Sequence, residues 1–134
     1  MKVLLLLLFI SVSFLQAKNY AVIVRSDAPF EQIKSNDLKN IFLLKRRFIG
    51  DQKIIPINLL SNNELRVHFE KNIIKMSRKK LNSFWVKQHF RGISPPTTQA
   101  SYQSVLKFVT NVQGAVGYVP SSLVNENVKV IYEF

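Results

Sequence analysis

The stretch G-A-V-G-Y-V, Gly114 to Val119, decides how the rest of the chain is read. Two glycines this close suggest a phosphate loop, but such a loop must feed a helix, and here a β-branched and aromatic run continues. Ala115 to Val119 is therefore predicted to be a strand. Gly114 turns the chain into it, and Gly117 lets a neighbouring element approach closely.

Working outward, Tyr102, Val105, Leu106 and Val109 recur at helical spacing just before the glycine, so a helix feeds this strand. Val128 to Tyr132 is a further strand. At the other end of the chain, Tyr20 to Val24 (Y-A-V-I-V) reads as a buried strand stopped by S-D-A-P. Leu38, Ile41 and Phe42, with Ser35 as an available N-cap, predict a helix over Asn36 to Leu44. K-R-R at 45 to 47 and I-G-D-Q at 49 to 52 form a loop. Lys53 to Ile57 is a strand carrying Pro56 near its end, where a lost donor does least damage. Leu65, Phe69, Ile73 and Ile74 make the apolar face of a helix reaching Lys75. Ser77 caps another, whose buried side is assigned to Leu81, Phe84, Trp85 and Phe90, and R-G-I-S-P-P-T-T at 91 to 98 ends it. Strands alternating with helices predict an α/β fold, a small mixed sheet covered by helices.

The first residues, M-K-V-L-L-L-L-L-F-I-S-V-S-F-L-Q-A-K, place one lysine before an apolar run that ends near Ala17, the pattern of a secretory signal peptide. The run is shorter than the ~20 residues that cross a bilayer. Cleavage after Ala17 puts Leu15 at the minus-three position, where smaller residues are usual. Residues 1 to 17 are thus read as a signal and 18 to 134 as one α/β domain, periplasmic or secreted. With no cysteine, the chain has neither disulfides nor a cysteine-linked lipid. The full chain carries a net charge of +11 and the signal contains only Lys2, so the exported part stays strongly basic and suits anionic partners.

D-L-K-N-I-F-L at 37 to 43, I-I-P-I-N-L-L-S at 54 to 61, F-W-V-K-Q-H-F-R-G at 84 to 92 and G-A-V-G-Y-V at 114 to 119 occur in one order. Together they resemble the phosphate-type (type 2) periplasmic substrate-binding proteins of ABC transporters, across about Tyr20 to Tyr132. Full-length members close two lobes around a ligand, and this chain is similar to a single lobe. The resemblance implies a non-catalytic binding protein. It also implies a phosphate site made of a strand-side arginine and a Ser-Gly-Thr run, but Leu59 falls near the arginine position and Asn63, Glu64 and Leu65 near the run. The family's phosphate ligands are not reproduced residue for residue.

The junction N-L-L-S-N-N-E-L-R-V-H-F, Asn58 to Phe69, stands open to two readings. A helix start offers free N–H groups to an anion, with Ser61, Asn62 and Asn63 around them and Arg66 adding a planar fork. Against this, Ser61-x-x-Glu64 is the capping-box pattern, which would satisfy those donors internally.

Between residues 66 and 91, Arg66, Lys71, Lys75, Arg78, Lys79, Lys80, Lys87 and Arg91 stand against one acid, Glu70. This is either a solvated face or a surface for an anionic polymer, lipid head groups or an acidic protein, with salt-dependent binding. Nucleic acid is disfavoured, since no recognition motif accompanies the charge. Trp85 belongs to the core or a groove wall. His68 and His89 lack a third ligand for a metal, and no nucleophile or spaced carboxylate pair points to an enzyme. No cofactor is expected.

The expected function is an exported binding protein with a small anion such as phosphate at Ser61, Asn62, Asn63 and Arg66. The alternative is a periplasmic accessory protein whose basic helical face (Lys71, Lys75, Arg78, Lys79, Lys80, Lys87, Arg91) contacts an anionic partner. An ABC-transporter component, a second lobe or a dimer partner would complete a one-lobed site.

Overall fold

The apolar run Tyr20–Arg25 forms β1, and its four inner residues, Ala21 to Val24, are all buried, which requires cover on both faces of the sheet. The structure, a computed structural model, describes residues 18–134, and the expected signal peptide lies outside the described residues. Strand β1 is central. It pairs antiparallel with β7 (Ala115–Pro120) on one side and with β8 (Val128–Glu133) on the other, with a register shift between Val22 and Ile23 against β8.

The predicted strand at 53 to 57 is divided, with Lys53 closing a local hairpin and Ile55 and Pro56 joining the main sheet. Ile55–Pro56 (β4) runs parallel to β7 and completes the sheet order β4-β7-β1-β8. Just beyond the predicted strand, Asn58–Leu59 (β5) pairs with Thr98–Gln99 (β6). The N–H groups of Ile55 and Ile57 donate to Gly114 and Val116, so Pro56, between them, faces away from β7 at the sheet edge and its missing donor costs no pairing. The loop at 45 to 52 contains a small hairpin, Phe48–Ile49 (β2) with Gln52–Lys53 (β3).

Successive residues of β7 show the layering. Gly117 faces helix α4 (Tyr102–Asn111), where an added Cβ would lie 2.7 Å from Val105 Cγ1 and 3.2 Å from Ile57 Cγ1. Tyr118 points the other way, stacking on Phe69 with centroids 4.0 Å apart, while Phe42 of helix α1 (Ser35–Phe42) meets Phe69 edge-on at 4.7 Å. Helices thus cover both faces of a small mixed sheet. Gly114 has a φ of 85° and holds the turn between α4 and β7; a Cβ there would sit 2.1 Å from the Lys53 carbonyl.

Helix α1 begins with Lys34, not Ser35, in the cap position and without a side-chain cap, because Ser35 already has helical backbone. It ends at Phe42 with Leu43 as its C-cap, short of the predicted Leu44, which instead takes a left-handed φ of 58°. Helix α2 (Glu64–Phe69) runs into a π-helical turn, Glu70–Ile74, closed by the Lys75 N–H donating to the Glu70 carbonyl at 2.7 Å and ended by Lys75 at a φ of 56°. Ser77 then caps helix α3 (Arg78–His89), its hydroxyl accepting from the Lys80 N–H. Among the described residues no helix is long and apolar enough to cross a membrane.

Candidate functional site

The junction after β5 is built by a turn that the serine-centred cap did not anticipate. The Asn63 N–H donates to the Leu60 carbonyl at 3.0 Å, which places Ser61 and Asn62 at the exposed tip of that turn. Asn63 is the N-cap of α2: its Oδ1 accepts from the N–H of Leu65 at 2.8 Å and of Arg66 at 3.4 Å. The Ser61 to Glu64 capping box is therefore not formed. Glu64 is the first helical residue, and the helix starts two positions later than a Ser61 cap requires.

Arg66 turns back into the protein. Its Nη1 donates to the Leu59 carbonyl at 2.8 Å and its Nε to Glu70 Oε1 at 3.0 Å. Arg78 reaches the same carboxylate from the start of α3, its Nε 2.7 Å from Oε2, while its Nη2 donates to the Ser61 carbonyl at 2.7 Å. Glu70 is the buried charged residue among those described, at 6% exposure. Its carboxylate holds the position that an outside anion would take between the two guanidinium groups, and the pair of arginines clamps the β5–α2 turn to α3. The Arg66–Glu70 spacing of four residues was the sequence signal for half of this cluster. Nothing local signalled the Arg78 half.

Beside it, the Tyr118 hydroxyl donates to Asn58 Oδ1 at 2.5 Å, and burial pushes this phenol well above its ordinary pKa. Val67, Glu70, Lys71, Lys75, Met76, Ser77 and Arg78 line an open cleft of about 570 Å³ in the elbow between α2 and α3.

The basic residues diverge from this cluster. Lys71, Lys75, Lys79, Lys80, Lys87 and Arg91 are exposed, and Arg78 keeps 42% of its side chain accessible despite its ion pair. Helix α3 lies shallowly on the body, with Leu81 its one buried residue. Phe84 and Trp85 are half-buried beside it, 4.9 Å apart edge to face, and Lys45 Nζ stands 5.5 Å over the Phe84 ring. Phe90, expected on the buried side, is 85% exposed. Nine residues at about 100° each carry it roughly half a turn from Leu81. Arg46 pairs with Asp37 at 3.0 Å, so K-R-R is partly neutralised.

His68 stacks on Phe134 and contacts Asn72 through Nδ1, far from His89 in sequence. Among the described residues no group of three or more His, Cys, Asp or Glu is placed to hold a metal.

A scan against protein-family models and a search of curated protein sequences find no match. The fold does match solved structures. An ABC-type phosphate transport receptor from Vibrio cholerae aligns with a TM-score of 0.68 and 19% identity, over 84% of this chain and 45% of that one. A putative phosphate ABC transporter substrate-binding protein from Clostridium perfringens, with bound phosphate, gives 0.66 and 17%, over 84% and 44%. PstS from Borrelia burgdorferi gives 0.65 and 12%, over 84% and 46%. The chain spans less than half the length of these proteins. Its fold is that of a single lobe of the phosphate-receptor type.

Proposed function

We propose that this chain is a non-catalytic binding protein that recognises an anionic partner through the basic face of the α2–α3 region. The observation that carries this reading is the charge around α3. From Lys71 to Asn125 the sequence contains no acidic residue, and the first turn of α3 holds Arg78, Lys79 and Lys80 with no acid. Cations at a helix N-terminus oppose the macrodipole, typically by about 0.3–1 kcal/mol each. A purely structural first turn would favour acids, so the arrangement is better explained by a surface kept for contact. The binding proteins to which the fold is similar support a role without catalysis. The N-terminal segment supports a place outside the cytoplasm.

A second reading keeps the small anion at Ser61, Asn62, Asn63 and Arg66. It draws on the phosphate named for the similar structures and on Arg66, whose guanidinium contacts the Leu59 carbonyl and so brings a cation to the strand edge. Glu70 weighs against it, because that carboxylate already occupies the fork. A second lobe, a second copy or an ABC-transporter component would have to supply the missing wall, since efficient small-ligand sites bury most of the ligand.

The unfolding midpoint of residues 18 to 134 in phosphate, sulfate, small carboxylates and dextran sulfate, at low and high salt, separates the two. A small anion at 100 times its dissociation constant would stabilise the fold by about 2.7 kcal/mol, a rise of several degrees. The basic-face reading expects a rise with the polyanion alone, lost in high salt and lost on Lys79→Glu/Lys80→Glu. A rise with phosphate that survives high salt would replace it with the small-anion reading.

A further inference from the structure

Helix α3 carries two opposed apolar stripes of unequal fate. Leu81, Phe84 and Trp85 turn toward the body, while Val86 and Phe90, one helical turn apart, stand on the other side at 58% and 85% exposure. Phe90 is held there by the structure that follows, since the N–H groups of Arg91 and Gly92 donate to the Gln88 and His89 carbonyls at 2.9 Å. Lys79 shares this outer face and Lys87 and Arg91 flank it, all exposed.

We propose that the outer face of α3 docks on an anionic lipid surface, with Phe90 and Val86 entering the headgroup boundary and Lys79, Lys87 and Arg91 meeting lipid phosphates. This rests on the basic-face reading and names its partner class. Charge complementarity selects an anionic surface. The apolar pair selects lipid among such surfaces, because a projecting phenylalanine beside lysines matches an interface that is charged at the top and hydrocarbon beneath. The type of cation agrees. Arg66 and Arg78, the forks suited to directional pairing, are engaged with Glu70, and the free charges are mostly lysines, flexible point charges that suit a fluid array of headgroups. Neither signal suffices alone for stable attachment, and here the two coincide on one helix.

Flotation of residues 18 to 134, which contain all the described strands and core residues, with vesicles of phosphatidylcholine with or without phosphatidylglycerol tests this. The expected result is flotation with the phosphatidylglycerol vesicles alone, weakened by salt. Phe90→Ser should reduce partitioning about tenfold, the order expected for withdrawing most of a phenylalanine from hydrocarbon. Lys87→Glu should reduce it about fivefold or more. Unchanged unfolding midpoints for both variants would show that the losses are not losses of fold. Flotation unaffected by Phe90→Ser would overturn the proposal. Absence of flotation together with salt-sensitive binding to polyglutamate would also overturn it and leave the basic face to an acidic protein. Absence of both would remove the basic-face reading itself.

Discussion

Arg78 Nε lies 2.7 Å from Glu70 Oε2, an ion pair that joins the first residue of α3 to the π-helical turn after α2. With Arg66 on the other oxygen, the carboxylate satisfies two cations at once. Removing it leaves both without their partner. Glu70→Ala should cost about 2 kcal/mol in urea unfolding, below the ~3–5 kcal/mol of a fully buried pair because Arg78 stays partly solvated. Sulfate or phosphate should recover part of that loss in the variant and have no such effect on the native chain. Equal stability of the two proteins would show that the cluster is ornamental.

The cap assignment predicts a contrast between neighbours. Asn63→Ala should lower stability by about 1 kcal/mol, whereas Ser61→Ala, at the exposed turn, should change it by less than about 0.5 kcal/mol. Thermal melts of the two variants decide the point, and the reverse order would restore the serine cap.

Alkaline stability should report Tyr118. Its folded-state pKa is raised above the ordinary value of 10.0 by burial, so its contribution is fully present below pH 10 and is lost as pH rises from there toward the folded pKa. The unfolding free energy should fall by up to about 1.4 kcal/mol per pH unit in that window from this group. Tyr118→Phe should reduce that slope, at a cost of about 1 kcal/mol at neutral pH from the lost bond to Asn58. An identical alkaline slope in the variant would contradict the assignment.

Gly117→Ala should destabilise by about 1–3 kcal/mol, since its Cβ would press on Val105 from 2.7 Å. Gly114→Ala should be worse. There the obstacle is backbone, the Lys53 carbonyl, and the φ of 85° is itself strained for alanine. Expression and melting of both variants check the order.

Much of the fold was legible because local pattern and burial agree. Val22, Ile23, Val116 and Val119 are strand residues that also form the core, and both glycines of G-A-V-G-Y-V do what their spacing suggested. The misreadings arise where local pattern competes with distant partners. Ser61 and Asn63 are both good caps, and the turn closed on Leu60 chose between them. Phe90 looked like a core residue by type, although its helical phase already opposed Leu81. Glu70 counted as one acid among many cations until the fold brought Arg78 beside it. The strand at 53 to 57 divided because Lys53 pairs with nearby Phe48, while β7, some sixty residues later in the chain, pairs with Ile55 and Pro56.

The most direct measurement compares the affinity of Lys79→Glu/Lys80→Glu and Ser61→Ala/Asn62→Ala for dextran sulfate, each against the native chain, across a salt series. The basic-face account predicts that the charge-reversal pair binds at least about tenfold more weakly with a shallower salt dependence, while the turn pair binds as the native chain does. Equal losses in both pairs, or a loss confined to Ser61 and Asn62, would contradict it.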